Sequence, residues 1–413
     1  MALTKVTNSM ILGAVVNVFD FMSDAQIADV EARTATVDTT AAIQAAIDSL
    51  GSYGGVVRLP RGRYLTTAKI TLHTGVSLIG DGQFGGNATY DQGATTILGR
   101  HTEPAVLSLV GAVSCTVSDL ALMSDGPANP WPQTGLLLGR DTAASAGYHK
   151  VIRVAVYGNF TIANVYSIAS EDNYWEDLNC LNYALGGAKH CFYTSIGNSN
   201  PAMTEPLVTS SNLDNVFVRF WFTNNNPDTD AACLYLDNAE GMGSWSFYGG
   251  YCTAAGGAYV TLNNGAVDGL SALGPFTFVG FNGERLAGGD PLYGFNLLAG
   301  SPVELRGLFI SGARLDFQAG TNHYQIRKQS NLTLVAPNIV MQPPEAFPYA
   351  LTDVFRDKVL GGVLSIGREY AWTNVTFEAS WANTFVAPYA PASRSEEHTS
   401  ELQSHHDLVC RLL

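Results

Sequence analysis

Between Gly54 and Gly82 the chain reads GGVVRLPRGRYLTTAKITLHTGVSLIGDG: short apolar alternations, each closed by Gly or Pro, with no room for a helix between them. Similar segments continue to about Val335, among them TVSDLALMS, KVIRVAVYG, WEDLNC, NVFVRFWF, FTFVGF and VELRGLFISG. Many short strands can build a sandwich, a propeller or a stack of coils.

A recurring six-residue pattern favours the stack. It runs Val117-Ser118-Asp119-Leu120-Ala121-Leu122 and returns at Val151–Val156, Trp175–Cys180, Leu213–Val218 and near Leu305–Ile310. A bend in mid-pattern flips the inward parity, as a coil does at a corner. The first four copies begin 34, 24 and 38 residues apart, which suits one coil of three short strands with variable loops. A single coil buries little and needs stacked neighbours. One helix stands before them, DTTAAIQAAIDSLG. Asp38 or Thr39 can cap it, Ile43, Ile47 and Leu50 form its apolar stripe, and Gly51 stops it. Such a helix would cover the open end of the first coil.

Composition narrows the function. The 413 residues carry 22 Lys and Arg against 36 Asp and Glu, a formal charge of −14. That balance disfavours binding to nucleic acid or to an anionic membrane surface. No run of 18 apolar residues offers a membrane-spanning helix, and MILGAVV near the start is not read as a signal peptide. Six cysteines, at 115, 180, 191, 233, 252 and 410, show no metal-ligand spacing. They read as buried free thiols in a chain made in a reducing cytoplasm. No cofactor and no metal site is expected.

VNVFDF followed by DTTAAIQAAIDSLGSYGGVVRLPRGRYLTTAKITLHTGVSLIGDG resembles the start of the pectate-lyase-like right-handed parallel β-helix superfamily. The resemblance lies in the capping helix, Gly-Gly-x-Val-x-Leu-Pro-x-Gly-x-Tyr, and Leu-x-Gly-x-Gly, and it covers about residues 16–82. The preceding ALTKVTNSMILGA is similar to the lead-in of bacteriophage tailspikes and capsule depolymerases. The resemblance implies an all-β fold, a right-handed parallel β-helix with a short N-terminal capping helix. It also implies a homotrimeric virion protein, made in the host cytoplasm. Such a protein is held by a tail or baseplate adaptor and binds and cleaves a bacterial capsule or O-antigen. It does not fix the chemistry. The Asn-Thr-Asp, Gly-His-Gly and Arg-Ile-Lys motifs of polygalacturonases are absent, as is the calcium-acid and arginine set of pectate lyases. Hydrolysis, β-elimination and glycan binding without cleavage all stay open.

Glycosidic hydrolysis usually takes two carboxyl groups. In the pattern alignment Glu176 and Asp214 share one exposed slot on neighbouring coils, where facing carboxyls would push one pKa up; two ordinary solvated acids are the alternative. Asp237 and Glu240 in YLDNAEG are further candidates for catalysis, as are Glu171, Asp172 and Glu284. Sugars stack on flat rings, so Trp221, Trp245 and Tyr248 are candidate binding residues, with Arg219 and Arg306 able to hold an acidic sugar. Trp175 falls in an inward slot and reads as core. His149 and His190 read as structural.

The expected organisation is a lead-in over 1–22, capping helix and first coil over 23–75, and a β-helix over 76–335. A linker with an incomplete β-rich module follows over 336–393. Residues 394–413, RSEEHTSELQSHHDLVCRLL, resemble the translation of a sequencing adapter and are expected to be non-native and without function.

Overall fold

Parallel pairing between successive coils organises the chain. The computed structural model describes residues 15–83, 93–126, 128–141, 146–194, 204, 214–237, 244–264, 272–289, 291–299, 303–315, 324–328, 332–335, 337–341, 359–360, 362–366 and 383–384. A typical coil has a leading strand Tyr174–Glu176, a second strand Asn179–Asn182 and a third strand His190–Thr194. The next coil repeats this as Asn215–Val218, Trp221–Asn224 and Ala232–Asp237, and the one after as Trp245–Tyr248, Tyr251–Ala254 and Ala258–Asn264. Leading, second and third strands each pair in parallel with their counterparts in the coils before and after. In Thr116–Ser124 and Lys150–Gly158 the first two strands run on as one. Among the described residues the leading and second strands fall in a 19-stranded sheet and the third strands in a nine-stranded one. The chain is thus all-β, with parallel strands and few helices.

Why the strands are so short follows from the corner between the first two. Glu176 points outward and Trp175 inward; Asp177 then takes a left-handed conformation, φ 50°, so that Leu178 points inward. One left-handed residue turns the chain and resets the parity, which is the flip expected from the sequence. The inward row before this corner is Val117, Val151, Trp175, Phe217, Phe247 and Phe278, all essentially buried. Its aromatic members stack in register: Trp175 on Phe217 at 5.3 Å and 7°, Phe217 on Phe247 at 4.8 Å, Phe247 on Phe278 at 4.6 Å. Each such pair adds about 0.5–1.5 kcal/mol beyond its burial. Asparagines tie the corners: Asn173 donates to Asn215 and Asn182 to Asn224, each at 3.0 Å.

The N-terminal end differs from expectation in one respect. The expected helix is present at Thr40–Asp48, with Ile43 and Ile47 buried against the first coil. Its first turn is served by Asp38, which accepts from the Thr40 N–H at 3.0 Å. A second helix, Asp24–Ala32, precedes it. Its apolar stripe is weak, with Val30 its one buried apolar side chain. The legible signal was the Ser23 and Gln26 capping box, which is formed in the structure.

The register also corrects the alignment of the later repeats. Val117, Val151 and Trp175 do share one row. The row continues to Phe217 and, three coils further, to Ile310 through Phe247 and Phe278; Leu305 belongs to a different sheet, and Leu213 lies outside the described residues. The expected linker, the end of the C-terminal module and the tail lie mostly or wholly outside the described residues, as does Cys410. The five described cysteines are free and buried.

Candidate functional site

The left-handed corner residues stack from coil to coil. In register order they are Asp119, Arg153, Asp177 and Arg219, with φ between 50° and 58°, followed by Gly249, Gly280 and Gly312. The charged members alternate in sign and pair. Arg153 holds Asp119 through Nε and Nη2 at 2.5 and 2.8 Å, and Arg219 holds Asp177 in the same way at 2.8 and 2.9 Å. The Arg219 Nη2 also donates to Glu176, whose other oxygen accepts from the Tyr174 hydroxyl at 3.1 Å. The Arg219 guanidinium beside Asp177 lowers the Asp177 pKa, and the two carboxyls raise that of Arg219.

Aromatic side chains border this ladder on the outer face. Trp221 opens the second strand of its coil and is 53% exposed; its ring meets Tyr251 of the next coil. Tyr248 lies one coil beyond Val218 in the Glu176 row and is 42% exposed. Between Tyr248 and Tyr251 stand two glycines. A Cβ on Gly250 would lie 2.0 Å from the Phe220 ring, so glycine is what lets Phe220 fill the interior. Trp221, Tyr248 and Tyr251 thus gather beside Glu176, Asp177 and Arg219.

The other end of the leading strands has its own left-handed row: Ser114, Tyr148, Asp172 and Asp214. Tyr174 pairs with Val216, so two residues earlier Asp172 stands beside Asp214. One strand spacing, about 4.8 Å, separates their backbones. Tyr148, 54% exposed, donates its hydroxyl to Asp172, whose negative charge raises the phenol pKa. Asp214 accepts from the Ser244 N–H at 3.0 Å.

This geometry breaks the expected pair. Glu176 is level with Val218, not with Asp214. Asp214 lies four residues earlier, roughly 13 Å along the strand at 3.3 Å per residue. Both ends of a leading strand carry acids, Asp172 at one and Glu176-Asp177 at the other, and the alignment matched Asp214 to Glu176 when its register partner is Asp172. The structure does bring Trp221, Tyr248 and Arg219 together with Glu176. Trp245 is not among them: it is fully buried and packs against Phe217 and Phe247. The alternation Trp245-Ser246-Phe247-Tyr248 carried that signal, since Trp245 shares the parity of Phe247. Asp237 ends a third strand and lies in the other sheet, where its backbone N–H donates to Thr194. Glu240 lies outside the described residues. Arg306 sits in the separate four-stranded sheet, paired with Glu304 at 2.5 Å, away from Arg219. Among the described residues no group of His, Cys, Asp or Glu is arranged to hold a metal ion.

Over residues 30–105 the chain matches the family described as rhamnogalacturonase A/epimerase, pectate lyase-like. That span takes in the end of the first helix, the second helix and the first coils, and overlaps the stretch that carries the resemblance read from the sequence. No curated protein matches. Among solved structures the chain is similar to ORF18 of Geobacillus virus E2, at 17% identity and a TM-score of 0.47, over 78% of this chain and 61% of that one. It is also similar to the Dettilon tailspike protein, at 11% and 0.45, over 84% and 67%. A third is a tailspike mutant of the E. coli bacteriophage HK620, solved with a hexasaccharide, at 14% and 0.44, over 86% and 67%. The chain spans 61% of the length of the first of these proteins.

Proposed function

We propose that the chain is a tailspike-type depolymerase, whose stacked coils form a right-handed parallel β-helix that binds and hydrolyses a bacterial surface polysaccharide. The observation that carries the reading is the cluster of exposed Trp221 and Tyr248 with half-buried Tyr251 beside Glu176 and Arg219. Flat rings open to water next to paired charges suit a sugar: its C–H face stacks on the ring while its hydroxyls meet carboxylate and guanidinium. The glycan crosses the outer face of the leading strands, from these aromatics at one corner to Asp172 and Asp214 at the other. There the backbones of the two acids stand one strand spacing apart, a placement that lets their carboxyl groups approach the roughly 5–5.5 Å of hydrolases that act through a covalent intermediate. One attacks the sugar carbon while the other protonates the departing oxygen; the second then takes a proton from a water that displaces the first from the sugar carbon and leaves a new reducing end. Glu176 binds rather than reacts. The family match over residues 30–105 supports a carbohydrate-acting scaffold.

The same reading makes the protein a homotrimer held to the virion by a tail or baseplate adaptor. Mass photometry at micromolar concentration would show the trimer; monomer alone would count against it. Release of reducing ends from capsule or O-antigen tests the activity. Binding without release would identify a receptor-binding spike instead.

A further inference from the structure

We infer that the sugar docked on Trp221, Tyr248 and Tyr251 is uncharged, so that over this stretch the substrate is a neutral polysaccharide and not a polyuronate. The inference rests on the glycan-binding reading of this face and names its substrate class.

Three observations carry it. The cation at the centre of the face is already occupied: Arg219 gives two hydrogen bonds to Asp177 and one to Glu176. Arg153, two coils back, is held by Asp119 in the same two-pronged way. A uronate would meet only the Nη1 side of each guanidinium, whose charge is already balanced by a carboxylate, so the added ion pair gains little. Next, the corner ladder of Asp119, Arg153, Glu176, Asp177 and Arg219 carries three acids against two bases. An approaching carboxylate therefore meets net negative charge locally, as it does on a chain whose formal charge is −14.

The third observation is the chemistry past Arg219. The nearest outward residues are Val218, Trp221, Tyr248, Tyr251, Val279 and Asn282, all uncharged, and two residues past Asn282 the exposed Glu284 adds a further negative charge. The next guanidinium groups along this face, Arg285 and Arg314, lie two and three coils beyond Trp221, and each is engaged by a neighbouring group. Lys150, two coils before Trp221, starts its strand at the far corner, roughly 15 Å or more away. Rings, amides and backbone suit the C–H faces and hydroxyls of neutral sugars. They do not suit β-elimination, in which the proton beside a uronate carboxyl is removed and the glycosidic oxygen leaves; that step needs a cation on the carboxylate.

An array of purified bacterial polysaccharides tests this, half of it neutral O-antigens and half uronate-bearing capsules, probed with the full chain at low and high salt. The expected result is binding to neutral members, with an apparent Kd that changes less than about twofold with salt. Trp221→Ala, checked by thermal melting to be folded, should weaken that binding roughly tenfold or more. Binding confined to uronate members and weakened by salt would overturn the substrate class while leaving the glycan-binding reading intact. Neutral binding untouched by Trp221→Ala would overturn the docking place. No binding to either half would remove the glycan-binding reading itself, and this inference with it.

Discussion

The indole of Trp221 meets the ring of Tyr251 edge-on, with centroids 5.5 Å apart and ring planes at 85°. The two sit on adjacent coils at the same register position. This edge contact leaves the indole half in water, as a sugar platform requires. Trp221→Ala should therefore cost little stability, within about 1 kcal/mol. Tyr251→Ala should lower glycan affinity several-fold by loosening the indole. Melting curves and a binding isotherm for each variant separate the two effects.

Asp172 and Asp214 should behave as a unit. Asp172→Asn or Asp214→Asn should reduce the release of reducing ends by about a hundredfold or more, with the fold intact. Glu176→Gln should act mainly on KM, because it removes the negative charge that pairs with Arg219 and strengthens hydrogen bonds from the sugar hydroxyls. Steady-state kinetics distinguish these outcomes. If Glu176→Gln abolishes kcat while Asp172→Asn and Asp214→Asn leave it untouched, the reaction centre lies at the other corner.

Acid should destabilise the fold through two histidines. His149 is fully buried; its Nδ1 accepts from the Cys115 N–H, and its Nε2 has no partner among the described residues. Burial pushes its pKa down to about 4, and that of His190 to about 3. Because both are lowered in the folded state, the unfolded chain binds protons first as pH falls. The stability is whole above the ordinary value near 6.5 and is lost on the way down to about 4. For His149 the loss amounts to about 3 kcal/mol. Most of this window lies above the range in which carboxylates titrate. His149 occupies the inward row of Asn173 and Asn215, so His149→Asn should keep an acceptor there and flatten the fall in Tm between pH 7 and 5. An unchanged pH profile would show that His149 does not govern it.

Adjacent glycines should respond in opposite ways. Gly250→Ala places a Cβ against Phe220, an overpacking worth roughly 1–3 kcal/mol or more. Gly249→Asn should be close to neutral, since its φ of 65° falls in a row that already holds Asp and Arg, and its nearest atom would be the Arg219 Cγ at 3.9 Å. Denaturant midpoints report both.

The coil pattern was legible where corner and strand were in phase. Val117, Val151 and Trp175 could be aligned because the same six-residue pattern follows each of them. The alignment slipped after the long 195–213 segment, where only composition guided it. There Asp214-Asn215 looks like Glu176-Asp177 in polarity but is the counterpart of Asp172-Asn173. The site was half legible for the same reason. Trp221, Tyr248, Arg219 and Glu176 meet because their rows are near one corner. Asp172 gained its place only once the register was fixed. Arg306 and Asp237 looked equivalent to the others in sequence, yet belong to different sheets.

The central claim is that this face binds and cleaves a glycan, and the most direct measurement is the product. Neutral O-antigen and uronate-bearing capsule preparations would be incubated with the full chain and with Asp214→Asn, and the reducing ends and oligosaccharide masses read out. The account predicts new reducing ends from a neutral polysaccharide, products each heavier by one water than the chain segment they come from, and at least a hundredfold loss in Asp214→Asn. Products lacking that water, with the absorbance of an unsaturated uronate, or equal release by Asp214→Asn, would contradict it.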